Sequence, residues 1–285
     1  MTDHLSAQEL TAAANEVSKL APKIYDDALA PGVRRLSTEV ELAARALHVV
    51  LAPVRALVWG AEQVEALFTA RVAEKLAKVP AEEFVEPPLH VVGPAYEALR
   101  YTGHDEVLRE MYASLIAAAV VRETTGQAHP AFVEIIKQMT ATEARFLAFL
   151  RGRMSFEIGH VDAKHPGGGV THVASHLALV PDAIGMSGMA EVQSGIGNLN
   201  RLGLTAVPPY LRRLDDTAYE PLRQSAGVQA VFQAVRDHGN EPDFRMGIVE
   251  ITMLGIQFVD VCASELPSRD ADRPTSVKRA SGDDA

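Results

Sequence analysis

The apolar residues of the chain recur mostly at the spacing of helices. Six of them between positions 105 and 120 are three or four residues apart: Leu108, Met111, Tyr112, Leu115, Ile116 and Ala119. This spacing puts all six on one face of a helix, with Asp105 in position to cap its first turn. We therefore expect a core-facing helix over residues 105–120.

Three pairs in which Ser or Thr is followed three residues later by Glu predict further helix starts. In such a capping box the hydroxyl oxygen accepts a hydrogen bond from a backbone amide, and the carboxylate reaches back to the first residue. The pairs are Ser6–Glu9, Thr38–Glu41 and Thr140–Glu143. Each marks a place where we expect a helix to begin.

Prolines divide the N-terminal part of the chain. A short helix is predicted between Pro22 and Pro31, and a long helical stretch from residue 36 to about residue 78. Pro53 lies inside this stretch, where it removes a backbone donor and clashes with the preceding turn. We therefore expect a kink or a break near residues 50–53.

From residue 140 onward, short strand-like runs alternate with helices. The remaining predicted elements are a connector at 85–94, a helix at 129–139, a helix ending at Gly152, a strand in "MSFEI", a helix at 189–203, strands at 204–207 and 247–255, and a last helix in "IQFVDVCAS". The polar tail lacks a core-forming pattern and is expected to be disordered. The predicted regions are a long-helix region 1–80, a helical domain 81–139, a winged-helix-like domain 140–265 and the tail 266–285.

Charge and cysteine content narrow the class of protein. The formal net charge of −10 disfavours broad, non-specific binding to nucleic acid, because phosphate contacts need clustered Lys and Arg. The single cysteine, Cys262, excludes an internal disulfide and fits a reducing compartment. The start "MTDHLSAQEL" has no basic region followed by an apolar run. We expect a cytoplasmic protein, with peripheral contact at the inner membrane face left open.

Several segments together resemble the abortive infection alpha (Abi-alpha) family of bacterial proteins, which is described mainly as a domain of unknown function. They are "YDDALAPGVRRL", "PAYEALRYTGHDEVLREMYASLIAAAV", "HPAFVEIIKQMTATEARFL", "NLNRLGLTAV" and "ITMLGIQFVDVC". Their order and spacing over residues 20–263 carry the resemblance. It implies a role in resistance to phage, but it implies no reaction and no catalytic residues.

The C-terminal pattern also looks like a winged helix, in which a recognition helix is followed by two paired strands. The helix would be 189–202 and the strands 204–207 and 248–252, although roughly forty residues separate the strands where a tight hairpin is usual. The predicted fold is thus mainly α: an N-terminal helical hairpin or bundle, then a winged-helix-like α+β part with a small two-stranded sheet.

A winged helix allows an alternative function, the binding of DNA by a transcriptional regulator. Side chains that could reach bases or phosphates are Gln193, Asn198, Asn200, Arg201, Arg212 and Arg213. The basic residues are sparse, and Glu191 opposes them. The competing interpretation is a scaffold that serves packing or protein contact.

The segment 159–176 ("GHVDAKHPGGGVTHVASH") contains four of the ten histidines: His160, His165, His172 and His176. On a helix, His172 and His176 would share a face and could bind one metal ion. His160 or His165 could add a third nitrogen ligand across the glycine loop, and Asp162 or Asp182 could add an oxygen ligand. The spacing matches no standard zinc pattern, however, and a solvated histidine-rich loop between the better-matched segments is the commoner case.

An apolar run at residues 46–60 raises the question of membrane contact. It is shorter than the roughly 20 residues that a helix needs to cross a bilayer. Such a helix could lie in the membrane interface, with Trp59 and Phe68 as anchors and Arg45 and Arg55 near anionic lipid. A buried helix is the competing interpretation.

No coherent catalytic set emerges from the sequence. The glycine-rich stretch lacks the Lys-Ser/Thr of a P-loop, and no G-x-S-x-G elbow is present. We therefore expect a non-enzymatic phage-defence protein without a cofactor or metal, acting through contacts with an unidentified protein partner or a membrane surface. A homo-oligomer is left open.

Overall fold

The computed structural model describes residues 68–266 and the backbone of residues 62–67 and 277–279. Several predicted features lie outside these residues: the capping boxes at Ser6 and Thr38, the helix between Pro22 and Pro31, and the kink near 50–53. The proposed membrane contacts Arg45, Arg55 and Trp59 lie outside them as well. The chain divides into two compact units, residues 1–134 and 135–285.

The described part of the first unit is built from three helices, α1 (Glu62–Leu76), α2 (Leu89–Thr102) and α3 (Glu106–Ala119). Helices α1 and α2 both pack against α3. The apolar stripe predicted on α3 is buried along its whole length, and the Asp105 carboxylate accepts a hydrogen bond from the Leu108 amide at 3.0 Å. The predicted core-facing helix and its cap are both confirmed.

Two features of the first unit differ from expectation. Helix α2 begins at Leu89, inside the predicted connector 85–94. Pro88 occupies its N-cap position, and because proline has no backbone N–H it leaves no amide donor there without an acceptor. Phe68, considered as a membrane anchor, is fully buried and meets Tyr96 edge-on with ring centroids 5.2 Å apart. Its ring belongs to the core in this structure.

The second unit combines helices with two small sheets. Its elements are α4 (Ala131–Lys137, which begins before the boundary), α5 (Ala141–Arg153), β1 (Ser155–Lys164), β2 (Val170–Leu177), α6 (Met189–Arg201), β3 (Thr205–Ala206), β4 (Leu211–Arg213), α7 (Glu220–Arg223), α8 (Ala226–Asp237), β5 (Glu241–Ile251), α9 (Met253–Phe258) and β6 (Val277–Arg279). A π-helical turn, Val259–Ala263, continues α9. The described residues are therefore mostly helical, as the pattern predicts.

The main sheet is antiparallel, with the strand order β2-β1-β5-β3. The pairing predicted between 204–207 and 248–252 is present, since Thr205 pairs with Ile251. The predicted two-stranded sheet is wrong, however, because β1 and β2 add two strands to it. Segment 159–176 is thus mostly strand: the glycines at 167–169 form the turn of a hairpin, and the histidines lie in or beside the strands. Residues 277–279, in the tail expected to be disordered, pair with β4.

The two faces of the main sheet have different environments. On one face, Val161, Ala163 and Leu177 pack with Leu222 of α7 and with three residues of α8, which are Val228, Phe232 and Val235. On the other face, Phe156 packs against Phe146 and Phe149 of α5. Because side chains alternate along a strand, His160 and Asp162 of β1 point to this second face, beyond the end that α5 covers.

The capping box predicted at the start of α5 is complete. The Thr140 hydroxyl accepts from the Glu143 amide at 3.2 Å, and the Glu143 carboxylate accepts from the Thr140 amide at 2.8 Å. Replacing Thr140 with alanine is expected to lower the free energy of unfolding by about 1 kcal/mol, because an amide at the helix start loses its partner. Urea denaturation followed by circular dichroism measures this. Thr140→Ser keeps the oxygen and should stay close to wild type; equal losses in both variants would contradict the assignment.

Candidate functional site

A polar cluster occupies the open end of the second sheet face, and we call it the histidine face. Its members come from three neighbouring strands or their ends: His160 and Asp162 from β1, His172, Ser175 and His176 from β2, and Arg245 from β5. Their side chains are joined by hydrogen bonds or ring contacts, given below. Three of the four clustered histidines are therefore brought together by the sheet.

Irregular pairing of β2 with β1 places these residues on one face. Asp162 pairs with His172, Val161 with Ala174, and Gly159 with Leu177. One residue of β2 is therefore extra between the first two pairs, and another is extra between the last two, which makes two β-bulges. In a regular strand, residues three apart point to opposite faces, whereas here Ser175 reaches the same side as His172. At the second bulge His176 has a φ of +57°, a left-handed conformation that is costly for histidine.

Asp162 is the centre of the hydrogen-bond network. Its carboxylate accepts from Arg245 Nε at 2.5 Å and contacts His172 Nδ1 at 2.7 Å. The other ring nitrogen of His172, Nε2, lies 2.6 Å from Ser175 Oγ. Serine, histidine, aspartate and arginine are thus connected in one chain of short contacts across three strands.

Charge fixes the direction of these bonds. Burial alone raises the pKa of Asp162, but the hydrogen bonds from Arg245 and His172 outweigh it and leave the pKa below its ordinary value. Asp162 is therefore an ionised carboxylate at neutral pH, and a carboxylate can only accept. It follows that His172 Nδ1 carries a proton and that, in the neutral imidazole, Nε2 accepts the Ser175 hydroxyl proton.

Two further imidazoles border this network. The ring centroid of His160 lies 6.4 Å from that of His172 and 5.7 Å from that of His176. Burial, followed by the nearby Arg245 charge, lowers the pKa of His160 to about 4, and burial also lowers the pKa of His176. Both rings are therefore neutral at pH 7. The ring of His160 lies over Gly247, where a Cβ atom would come 3.2 Å from Nε2.

The fourth histidine of the segment stands apart. His165 Nδ1 contacts Asn240 Oδ1 at 2.9 Å, and its Nε2 contacts Thr171 Oγ1 at 2.7 Å. Among the described side chains of residues 68–266, no group of three His, Cys, Asp or Glu is arranged to hold a metal ion. The zinc set considered from the spacing, with His165 and Asp182 as further ligands, is not assembled by these side chains.

The residues considered for DNA binding are mostly engaged within the protein. Their contacts are as follows: Gln193 donates to the Ser175 carbonyl, Asn198 to the Gln138 carbonyl and the Glu143 carboxylate, Arg201 to Asn198 and Gln138, Arg212 to Asp216, and Arg213 to Glu157. Arg213 is only 3% exposed. Asn200 is exposed. Five of the six side chains thus have partners within the protein, and one of these five, Arg213, is buried.

Sequence reasoning considered Asp162 with the histidines but did not identify Ser175 or Arg245. Residues 159–164, before the "HPGGG" turn, alternate between polar and apolar side chains, and this signal could have identified β1 as a strand. The bulges that bring Ser175 to His172 leave no comparable signal, because they depend on how β2 pairs with β1.

The low pKa of His160 makes stability depend on pH. The unfolded chain protonates this residue near 6.5 and the folded protein near 4, so the unfolded state binds more protons between these values. The contribution of neutral His160 to the free energy of unfolding is fully present above pH 6.5 and is lost as the pH falls towards 4. The difference corresponds to at most about 3 kcal/mol, which solvent screening of a partly exposed ring reduces to about 1–2 kcal/mol.

A titration of stability checks this dependence. His160→Gln keeps a polar side chain that does not titrate, so the loss of unfolding free energy between pH 7 and pH 5 should be smaller than in wild type. His238→Ala, at an exposed histidine of the same unit, is the control and should retain the wild-type dependence. Parallel curves for wild type and His160→Gln would refute the buried, neutral state of His160.

Each helix in the described range is too short or too polar to cross a bilayer. This finding covers only residues 62–266, so the apolar run at 46–60 lies outside it. The peripheral membrane contact expected from that run stays a prediction.

Comparisons with known proteins bear on the family alone. The family model described as abortive infection alpha matches residues 60–262. A solved structure, described as an uncharacterized protein from the hydrocarbon-degrading marine bacterium Alcanivorax borkumensis SK2, is 18% identical to the chain. The match covers 49% of this chain and 94% of that chain, with a TM-score of 0.34. No curated protein matches the chain.

Proposed function

The chain belongs to the abortive infection alpha family, and from this membership we propose that it is a bacterial phage-defence protein. The family match over residues 60–262, which takes in nearly all the described residues, is the observation that carries the proposal. The family's name suggests the role, and no reaction comes with it. Everything more specific must be argued from the side chains of this chain.

The histidine face is the part of the described structure that we assign to this role. Packing alone would favour apolar residues on a sheet face, yet this end of the sheet carries histidines, an aspartate and an arginine. Asp162 has a side chain only 10% exposed, and His176 has a left-handed backbone. Buried charge and backbone strain both cost stability, and they are common where a protein binds or reacts.

Two modes of action are considered for this role. The sequence predicts contacts with a partner protein or a membrane surface and no enzymatic activity, and this stays a prediction. The linked serine, histidine and aspartate of the histidine face favour a chemical mode of action instead. We do not propose DNA binding, because the net charge is −10 and five of the six candidate side chains have partners within the protein.

A plaque assay tests the phage-defence role. Bacteria that express the full chain should form fewer plaques than cells with an empty vector, for at least one phage in a broad panel. Unchanged plating across the whole panel would overturn the proposed role.

Variants in the same assay test the assignment of the role to the histidine face. Asp162→Asn and His172→Ala should reduce protection by about tenfold or more if the face is required, the scale of a lost positioning contact. His238→Ala, an exposed histidine on another element, should protect like wild type. Full protection by both histidine-face variants, at equal expression, would refute this assignment and leave the family role intact.

A further inference from the structure

We propose that Ser175, His172 and Asp162 form a nucleophilic triad that hydrolyses carboxylic esters, with Ser175 as the nucleophile. This deepens the proposed function and rests on the assignment of the phage-defence role to the histidine face, for which it names a chemical mode of action. The proposal rests on the order and lengths of two contacts: Ser175 Oγ to His172 Nε2 at 2.6 Å, and His172 Nδ1 to Asp162 Oδ1 at 2.7 Å. Each ring nitrogen of one imidazole thus contacts a different partner.

These two contacts assign the roles. A serine hydroxyl is a weak nucleophile and needs an adjacent base to take its proton. His172 Nε2 is such a base, because Asp162 keeps the other proton on Nδ1 and orients the ring. The same arrangement of nucleophile, base and orienting carboxylate defines serine hydrolases by geometry, independently of fold and chain order.

Arg245 strengthens the role of the aspartate. Its guanidinium donates to Asp162 and helps to hold the carboxylate ionised, so Asp162 does not take the proton from His172. The carboxylate instead stabilises the imidazolium that forms when His172 accepts a proton. Arg245 acts through Asp162 and is therefore a positioning residue.

The backbone around the nucleophile is also fixed. Gln193 on α6 donates to the Ser175 carbonyl at 2.7 Å, which anchors the second bulge of β2. The first bulge, between His172 and Ala174, explains why a serine three residues after the histidine can meet it at all, since a regular strand would separate them onto two faces. His176, with its positive φ, takes up the extra residue of the second bulge.

Neutral imidazoles supply donors for the negative charge that develops in the reaction. His160 lies opposite the bulge that contains Ser175 and His176, and both His160 and His176 are uncharged at neutral pH. A neutral imidazole carries one N–H, which can donate to an oxyanion. The exposure of the His172 side chain, 49%, leaves the triad open to solvent and so to a small ester.

The reaction balances without a cofactor. Ser175 Oγ forms a bond to the ester carbonyl carbon while its proton moves to His172 Nε2. The carbon–oxygen bond to the alcohol then breaks, and the alcohol leaves with the proton from His172. Water attacks the acyl-serine and gives a proton to His172; the bond between the acyl carbon and Ser175 Oγ then breaks, Ser175 Oγ takes this proton from His172, and the carboxylic acid departs.

Labelling with an alkyl fluorophosphonate tests the proposal on the full chain. This reagent phosphonylates a serine that has an activated hydroxyl, so wild-type protein should gain one label, and peptide mass spectrometry should place it on Ser175. Ser187→Ala is the matched control, because the Ser187 hydroxyl donates to Glu191 at 2.9 Å and has no histidine base. It should be labelled at the wild-type rate.

Variants of the triad complete the test. Ser175→Ala should lose the label and the hydrolysis of p-nitrophenyl acetate, and His172→Ala and Asp162→Asn should slow both by about 100-fold or more. Thermal melts and circular dichroism must show that each variant folds. Absence of labelling in folded wild type, or equal labelling of Ser175→Ala, would overturn the triad. Neither outcome would affect plaque reduction by wild type, so the two proposals fail separately.

Discussion

Arg213→Ala is expected to lower the free energy of unfolding by about 3–5 kcal/mol, because it breaks a buried ion pair by removing one partner. Arg213 Nε donates to Glu157 Oε1 at 2.6 Å, and its Nη2 donates to the Ser155 carbonyl at 2.9 Å. Truncation leaves the Glu157 carboxylate, itself only 15% exposed, without its counter-charge. Urea denaturation at pH 7 measures the loss.

The neighbouring arginine provides the control. Arg212 donates to Asp216 at 2.8 Å, but Asp216 is exposed, so Arg212→Ala should cost less than about 1 kcal/mol. Both arginines were candidates for DNA contact, and the comparison shows which of them has a structural role. If the two variants lost equal stability, Arg213 would not have the buried structural role described here.

Gly255→Ala is the second change with a large expected effect, a loss of about 3 kcal/mol from overpacking. A Cβ atom at this position would lie 2.1 Å from the Leu204 carbonyl oxygen and 2.8 Å from Ile251 Cγ1. The first of these is backbone, and it is held in place because Leu204 O accepts from the Thr252 amide at 3.0 Å. The clash can therefore be relieved only by breaking the contact between β3 and the start of α9.

Gly197→Ala is the matched substitution for this prediction. Gly197 lies inside α6, and an added Cβ would have nothing within 4 Å. Alanine should therefore raise the free energy of unfolding by about 0.5–1 kcal/mol, because it restricts the unfolded chain and favours the helix. Thermal melts of the two variants should move in opposite directions, and a stable Gly255→Ala protein would contradict the close approach of the two backbones.

The helices were the most predictable part of the fold because their signals are local. The stripe on α3 and the capping box at Thr140 depend only on residues three or four apart, and both are present. The helix at 189–203 was predicted nearly to its observed end, where Gly203 has a φ of +76°. Pro88, by contrast, stands at the start of α2 although the pattern predicts a connector there. The reason is that proline is common both in connectors and at the first positions of helices.

The sheet and the site were predicted poorly because they depend on long-range pairing. Strand β1 pairs with β5 some eighty positions later, as between His160 and Arg245, and nothing in either segment alone specifies its partner. The alternation of His160 and Asp162 with apolar neighbours in β1 is a strand signal, but it does not show which strands lie beside them. Their partners on β2 and β5 compensate for this polarity, and those partners meet only in the folded chain.

The two bulges of β2 have a further consequence at the outer border of the sheet. As the edge strand, β2 could in principle act as a template onto which a strand of another molecule adds, and its sequence "VTHVASHL" has no charge to prevent this. Each bulge twists the strand and breaks the regular repeat of its amides and carbonyls. An incoming strand would find only a few consecutive partners before losing register, so the same irregularity that collects the histidines also protects the molecule against growth into fibrils.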